Sequence, residues 1–205
     1  MIKVSKKKMA DIAIVVVAYN RPRSLNRILN SLSTANYPDA EIPLIISIDH
    51  GDNQEVLDVA NSYQWEYGEK TVLYQEENLG LRAHVLKCGH LTEQYENIIM
   101  LEDDLYVSPA FFLYSAEALA FTKDKEKIAG ISLYKHMLNV NEREPFEPLQ
   151  DGYDNWYMQM ASSWGQAWSK EQWKGFYSWY ENNKDEPIEA ENIPAFISSW
   201  PERSW

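Results

Sequence analysis

Short apolar runs alternate with amphipathic stretches along the first 134 residues. Three runs are apolar almost throughout, and they lie at Ile12–Ala18, Leu44–Ile48 and Ile98–Leu101. Such runs are typical of strands covered on both faces, as in a parallel sheet flanked by helices. Two further strands are predicted at Thr71–Gln75 and Ile128–Tyr134.

Helical periodicity fills the intervals between these strands. Pro22 stands at a favourable first helical position, and the apolar residues that follow it recur at helical spacing up to Ser33. Further helices are predicted at 53–65, 81–95 and 109–122. The alternation predicts an α/β fold with a mostly parallel, doubly wound sheet and helices on both faces.

The chain changes character after Tyr134. Seven of the eight Trp residues lie between Trp156 and Trp205, and five Pro residues interrupt the pattern after Tyr134. We therefore predict a flexible basic leader at 1–11, an α/β half at 12–134, and an aromatic-rich elaboration of the same domain at 135–205.

Composition narrows the class of protein. A length of 205 residues suits one sizeable α/β domain, and a net charge of −12 argues against nucleic-acid binding. Cys88 is the single cysteine, which excludes a disulfide framework and favours a reducing, cytoplasmic location. The apolar run near the N-terminus is too short to span a bilayer, so no transmembrane segment is expected, although peripheral membrane association stays open.

Three consecutive acids, Glu102, Asp103 and Asp104, follow the buried run at Ile98–Leu101. Ligands of open α/β sheets bind at the carboxyl ends of the strands. Adjacent carboxylates repel one another and are costly to desolvate, and Mg²⁺ or Mn²⁺ with oxygen ligands compensates both effects. The alternative is a solvated acidic turn. The preceding strand, and the helix-start signal Ser108-Pro109 that follows, favour a metal site.

Other polar side chains follow the remaining predicted strands. They are Tyr19, Asn20 and Arg21 after the first, Asp49 and His50 after the second, and Asn78, Arg82 and His84 after the third. All would face one crevice, where a nucleotide diphosphate would meet a metal, carboxylates and a cation. Neither G-x-G-x-x-G after the first strand nor a P-loop motif occurs, which disfavours dinucleotide binding and P-loop phosphoryl transfer.

Four segments of the chain together resemble the nucleotide-sugar-binding half of inverting glycosyltransferases with the GT-A fold. These segments are 14–22, 48–49, 78–80 and 101–104. The opening segment and the Asn-x-Gly are similar to bacterial family-2 enzymes. The Glu-Asp-Asp, with the aromatic residues after it, is similar to N-acetylglucosaminyltransferase I. The resemblance implies that 12–134 binds the nucleotide sugar and that 135–205 forms the acceptor side.

The resemblance also implies individual roles. Asp104 would ligate Mn²⁺ or Mg²⁺ on the diphosphate, Asp103 would contact ribose or sugar, and Glu102 the sugar. Asp49 would pair with the uracil ring. The nucleoside pocket would be lined by Ala18, Asn20 and Arg21. Arg82 would approach the phosphate or the donor sugar. The structural alternatives are that Asn20 and Asn78 cap helices and that His84 is a surface residue.

In such enzymes an acceptor hydroxyl attacks the anomeric carbon while a carboxylate removes its proton. In the resembling enzymes this base lies in an aromatic segment, and Glu202 is the acid in the corresponding segment of this chain. Asp154 is the alternative candidate for the base. The chain is expected to be truncated, so the base could instead lie beyond Trp205. Most of the Trp residues suit a core, whereas Trp164 or Trp168, beside flexible Gly165, could stack against an acceptor sugar.

These features favour a metal-dependent inverting glycosyltransferase that uses a UDP-sugar and a glycan or lipid-linked acceptor. A nucleotidyltransferase shares a similar sheet and metal site, but it would carry a Gly-rich basic loop after the first strand, which Tyr19-Asn20-Arg21-Pro22 lacks. A non-catalytic carbohydrate- or partner-binding module of the same fold is the third alternative.

Overall fold

The computed structural model describes residues 11–135, 137–139, 144–158 and 162–186. Its strands are β1 (Ile12–Ala18), β2 (Leu44–Ile48), β3 (Lys70–Tyr74), β4 (Asn97–Glu102), β5 (Ile131–Ser132), β6 (Leu138–Asn139), β7 (Glu144–Pro145) and β8 (Gln166–Ser169). Its helices are α1 (Pro22–Ser33), α2 (Gln54–Ser62), α3 (Gly80–Gly89), α4 (Phe111–Thr122) and α5 (Lys170–Asn183), with a short 3₁₀ helix at His90–Glu93.

A six-stranded sheet with the order β3-β2-β1-β4-β8-β5 forms the centre of the protein, and β6 pairs with β7 apart from it. The first four strands in this order are parallel, which confirms the prediction of a mostly parallel sheet. Ile14 of β1 aligns with Leu44 on one side and with Ile99 on the other. Every residue of β1 and β2 is buried, and all of them except Ser47 are apolar.

Helices cover both faces of the sheet, which confirms the doubly wound architecture. On one face, α1 buries Leu25, Ile28 and Leu32 in a core that α2 and α4 also line. On the other face, Cys88 of α3 and Trp173 of α5 pack against β1 and β4. No helix in the described ranges is long and apolar enough to cross a membrane.

The predicted strand at Ile128–Tyr134 is much shorter in the structure. Only Ile131–Ser132 forms a strand, and β8 lies antiparallel between it and β4. In β8, Ala167 and Trp168 are buried in the cores on opposite faces of the sheet, so this strand supplies apolar surface to both helical layers. A segment from the aromatic-rich half therefore completes the sheet.

Three predicted helices are shorter than the sequence suggested. The helix predicted to open at Pro109 begins at Phe111, after a turn at residues 109–110. The helix expected to reach residue 65 ends at Ser62, because the backbone becomes extended at Tyr63 and the Trp65 indole N–H donates to the Ile42 carbonyl at 2.7 Å. The helix expected to reach residue 95 ends at Gly89, where the ring of Trp173 packs against the backbone.

Candidate functional site

The acidic turn after β4 lies next to the end of β1, at the carboxyl edge of the parallel strands. The Asp103 N–H donates to the Val17 carbonyl at 3.0 Å, which continues the pairing of β4 with β1 by one residue. On the other side of β1, the Asp49 N–H donates to the Ala18 carbonyl at 2.9 Å. The ends of β1, β2 and β4 therefore lie side by side at this edge of the sheet.

Two arginines of the α1 region hold the acidic turn. The guanidinium of Arg21 donates from Nη1 to Oδ2 of Asp104 at 2.9 Å and from Nη2 to Oδ1 of Asp103. Arg27, which follows on α1, donates to the backbone carbonyl of Asp104. The first loop and the acidic turn thus form one ion-paired unit, although they lie 82 residues apart in sequence.

Asp103 is the buried member of this unit. It is 1% exposed, and its Oδ2 atom has no hydrogen-bond partner among the described residues. Burial raises the pKa of its carboxyl above the usual 3.8, while the charge of Arg21 acts in the opposite direction. A buried acceptor without a partner is costly, so this oxygen favours the approach of a further cation or donor.

Glu102 points towards the aromatic-rich half of the chain. Burial raises the pKa of its carboxyl, and a hydrogen bond with Ser163 opposes that shift. A cavity of about 30 Å³ lies beside it and is lined by Glu102, Ser163 and Gln166 together with apolar residues. Because Ser163 precedes Trp164, this contact brings the predicted acceptor side to the acidic edge.

The acidic turn carries carboxylate oxygens, which are the type of ligand that divalent cations such as Mg²⁺ prefer. Within the described ranges, no group of three or more His, Cys, Asp or Glu side chains is arranged to hold a metal ion. Mg²⁺ and similar ions, however, bind through one or two carboxylates and complete their shell with water and substrate phosphates. The partly exposed carboxylate of Asp104 and the unpartnered Oδ2 of Asp103 supply such ligands.

Asp49 has a structural partner that the sequence did not reveal. It is buried, and it accepts hydrogen bonds from the backbone N–H groups of Leu79 at 2.9 Å and Gly80 at 3.0 Å. Gly80 has a φ of +74°, so the turn into α3 uses a conformation that favours glycine. Asp49 therefore ties the end of β2 to the beginning of α3.

The alternatives given for three polar residues are also decided. The N-cap positions of α1 and α3 are occupied by Arg21 and Leu79, so neither Asn20 nor Asn78 caps a helix. The Asn78 amide donates to the His50 carbonyl at 2.8 Å. His84 is buried rather than exposed, and its Nε2 lies 2.7 Å from the Ser47 hydroxyl.

An aromatic wall lies beside the end of β1. Tyr19 and His50 of this wall were predicted to face the shared crevice, whereas Tyr74 was not. A Cβ atom on Gly51 would lie 2.8 Å from the ring of Tyr19, so the ring packs directly on the Gly51 backbone. The hydroxyl of Tyr74 donates to the Gly51 carbonyl at 2.7 Å, and the Tyr74 ring stacks on His50. The position of Tyr19, directly after a buried strand, was the available sequence clue.

The remaining predicted site residues are scattered. Arg82 is exposed on the first turn of α3, and Asp154 is exposed in the segment before β8. Glu202 lies outside the described residues. Trp164 is 51% exposed and packs edge-on against Tyr134, with ring centroids 4.5 Å apart.

Trp168 does not lie on the open acceptor side. It is only 8% exposed, and it packs edge-on against Trp173 in the core beneath α3 and α5. Alternation along β8 sends its side chain into the layer opposite to that of Ala167. Trp168 is therefore a core residue, as most of the Trp residues were expected to be.

Comparison with known proteins identifies the family. The sequence model described as "Glycosyltransferase like family 2" matches residues 10–167. The chain belongs to this family. The resemblance to family 2 is thereby confirmed, together with the α/β GT-A fold, whereas the similarity to N-acetylglucosaminyltransferase I stays a prediction. No curated protein matches the chain.

Two solved structures resemble the chain. The mannosyltransferase PcManGT from Pyrobaculum calidifontis, in complex with GDP-Man and Mn²⁺, is 15% identical, with a TM-score of 0.49 over 63% of this chain and 37% of its own. S. aureus TarS 1-349 in complex with UDP-GlcNAc is 20% identical, with a TM-score of 0.45 over 63% of this chain and 38% of its own. The chain thus spans well under half the length of these two neighbours.

Proposed function

We propose that this chain is the donor-binding part of an inverting glycosyltransferase. It would move a sugar from a nucleotide diphosphate, with UDP as the first choice, to a hydroxyl of a glycan or lipid-linked acceptor. The observation that carries the proposal is the acidic turn after β4, which lies against the end of β1 in a chain of this family. A reducing, cytoplasmic location agrees with the single buried Cys88.

Asp104 is proposed as the protein ligand of a divalent ion, Mn²⁺ or Mg²⁺. Such an ion neutralises the charge that develops on the departing diphosphate. Asp103 lies directly beside it and is proposed to contact the ribose or the donor sugar. Glu102, one residue earlier and bonded to Ser163, is proposed to contact the sugar on the side that faces the acceptor.

The aromatic wall is proposed to hold the nucleoside. The ring of Tyr19 is 45% exposed and is fixed from behind by Gly51, so its open face is available for stacking on a base. Ala18 and Asn20 flank it at the end of β1. Asp49 is proposed to act by holding the turn into α3, because its carboxylate is buried and accepts backbone N–H groups.

The acceptor is proposed to enter beside Trp164. This indole is half exposed and lies next to the serine that contacts Glu102, so a sugar stacked on it would sit close to the donor sugar. Arg82 is proposed to approach the phosphate or the donor sugar from α3. Glu202 is proposed as the base that removes the acceptor proton, with Asp154 as its alternative.

The donor site is tested by thermal unfolding with UDP, GDP and CDP, each with and without Mn²⁺. The wild type is compared with Asp104→Ala and with Asp124→Ala, which removes an exposed acid just beyond the far end of α4. A ligand at about 100 times its dissociation constant adds about 2.7 kcal/mol of stability, which raises the melting temperature by several degrees.

The expected result is a shift with UDP that requires Mn²⁺, disappears in Asp104→Ala and persists in Asp124→Ala. A shift with GDP or CDP instead would move the proposal to another donor. The absence of a shift with every nucleotide at millimolar concentration would overturn the donor site. Transfer assays on Glu202→Gln and Asp154→Asn then assign the base, because only the variant that lacks it should lose turnover while it keeps the UDP-dependent shift.

A further inference from the structure

Arg21 occupies one carboxylate oxygen on each of the two acids beside which a divalent cation would bind. Its two terminal nitrogens reach Asp104 Oδ2 and Asp103 Oδ1, and in doing so they place one delocalised positive charge across both acids. A divalent ion at Asp104 would lie within a few ångströms of this guanidinium and would be repelled by it. We propose, on the basis of the function given above, that Arg21 is an internal counter-ion of these two acids. The metal displaces the guanidinium of Arg21, which then binds the donor diphosphate.

The two sides of this ion pair differ in their freedom to move. The side chain of Arg21 is 50% exposed, whereas that of Asp103 is 2% exposed and fixed in the sheet edge. Arg21 stands at the N-cap position of α1, and within the described part of the chain its side chain makes no capping bond to the helix. Arg21 can therefore swing into solvent, but Asp103 cannot follow it.

Arg27 keeps the acidic turn in place when Arg21 leaves. It donates to the backbone carbonyl of Asp104, so it positions the turn without occupying a carboxylate oxygen. The Asp103 N–H remains bonded to the Val17 carbonyl of β1 in the same way. The exchange therefore changes the partner of the carboxylates and leaves the backbone of the site unaltered.

The buried carboxylate of Asp103 requires a cation beside it at all times. Its carboxylate is buried, and for its Oδ2 atom the described residues provide no hydrogen-bond partner. Departure of Arg21 without replacement would leave a buried charge uncompensated, which is strongly unfavourable. Metal binding and release of Arg21 are thus coupled, and the guanidinium that is released has the two-pronged geometry that suits a phosphate.

The coupling has two measurable consequences. Without nucleotide, Arg21 competes with the metal, so removal of Arg21 should tighten metal binding. With a nucleoside diphosphate, the released Arg21 gains a new partner, so metal and nucleotide should each strengthen the binding of the other in the wild type. A variant without Arg21 should lose most of this cooperativity.

The test measures free Mn²⁺ by electron paramagnetic resonance during titration of the wild type, Arg21→Gln, Arg21→Lys and Arg23→Gln, with and without UDP. Arg23 is an exposed arginine in the first turn of the same helix, so Arg23→Gln controls for the change in net charge. Arg21→Lys keeps the charge but cannot span both acids, and it serves if Arg21→Gln folds poorly.

We expect Arg21→Gln to bind Mn²⁺ about fivefold or more tightly than the wild type without UDP, and Arg21→Lys to lie between the two. Arg23→Gln should resemble the wild type. Arg21→Gln and Arg23→Gln could bind Mn²⁺ with equal affinity while the wild type keeps its UDP-dependent Mn²⁺ binding. That result would overturn the role proposed for Arg21 and leave the donor site standing. Absence of Mn²⁺ binding in every protein, with and without UDP, would overturn the donor site as well.

Discussion

The carboxylate of Asp49 accepts a hydrogen bond from the backbone N–H of Gly80 at 3.0 Å, across an edge of the sheet where β2 ends and α3 begins. Asp49→Asn replaces one accepting oxygen with a donor, which leaves a backbone N–H without its partner. We expect the free energy of unfolding to fall by about 1–3 kcal/mol in chemical denaturation, because a hydrogen bond to a buried charged group is lost.

Asp52→Asn is the control for this change, since Asp52 is exposed in the same loop and its substitution should alter stability by less than about 0.5 kcal/mol. If Asp49→Asn unfolds like the wild type but no longer binds UDP, then the carboxylate contacts the uracil, and the structural role assigned to it is wrong.

The contact between Tyr19 and Gly51 gives a second prediction. In Gly51→Ala the new methyl group would lie 2.8 Å from the Tyr19 ring and would push it away from its position. Affinity for UDP in the presence of Mn²⁺ should fall about fivefold or more by calorimetry, because stacking of a base on an aromatic ring contributes about 1–3 kcal/mol. Tyr19→Ala should match this loss, whereas Tyr19→Phe should bind normally. Unchanged affinity in Tyr19→Ala would exclude Tyr19 from the base site.

Replacement of two glycines on neighbouring helices with alanine should change the free energy of unfolding in opposite directions. A Cβ atom on Gly89 of α3 would lie 1.8 Å from the Trp173 ring, whereas one on Gly175 of α5 meets no atom within 4 Å. Gly89→Ala should lower the free energy of unfolding by about 1–3 kcal/mol or more through overpacking. Gly175→Ala should raise it by about 0.5–1 kcal/mol, because alanine is the better helix former. Equal effects would contradict the packing of α5 on α3.

Buried His84 should make stability depend on pH. Burial lowers the pKa of its imidazole below 6.5, with a lowering effect of Lys87 opposed by the charge of Asp49. The unfolded chain then takes up this proton more readily than the folded protein does. The contribution of neutral His84 is therefore present above pH 6.5 and is lost as the pH falls through the lowered pKa.

Denaturation curves between pH 7.5 and about 5 should show this loss in the wild type. His84→Gln, which keeps a polar partner for the Ser47 hydroxyl, should show a smaller decline over the same range. An identical decline in both proteins would mean that other groups cause it.

The sequence by itself determined the parallel half of the fold. Apolar runs at β1, β2 and β4, each followed by helical periodicity, fix strand direction and layer order because both depend on local patterns and short connections. The same logic placed Asp49 and the acidic triplet at one edge, since parallel strands end on the same side. The sequence could not show that β8 lies beside β4. A strand of four residues is too short for the alternation of apolar and polar residues to be recognised.

Only the tertiary structure decided which partners these side chains meet. Arg21 and Asp103 are 82 residues apart, and their contact depends on how α1 leaves the sheet. Trp164 and Trp168 are equally aromatic and close in sequence, yet one is half exposed and the other lies in the core. Local sequence sets the type of chemistry a residue carries, whereas burial and long-range contacts set its role, because they arise only when distant segments pack together.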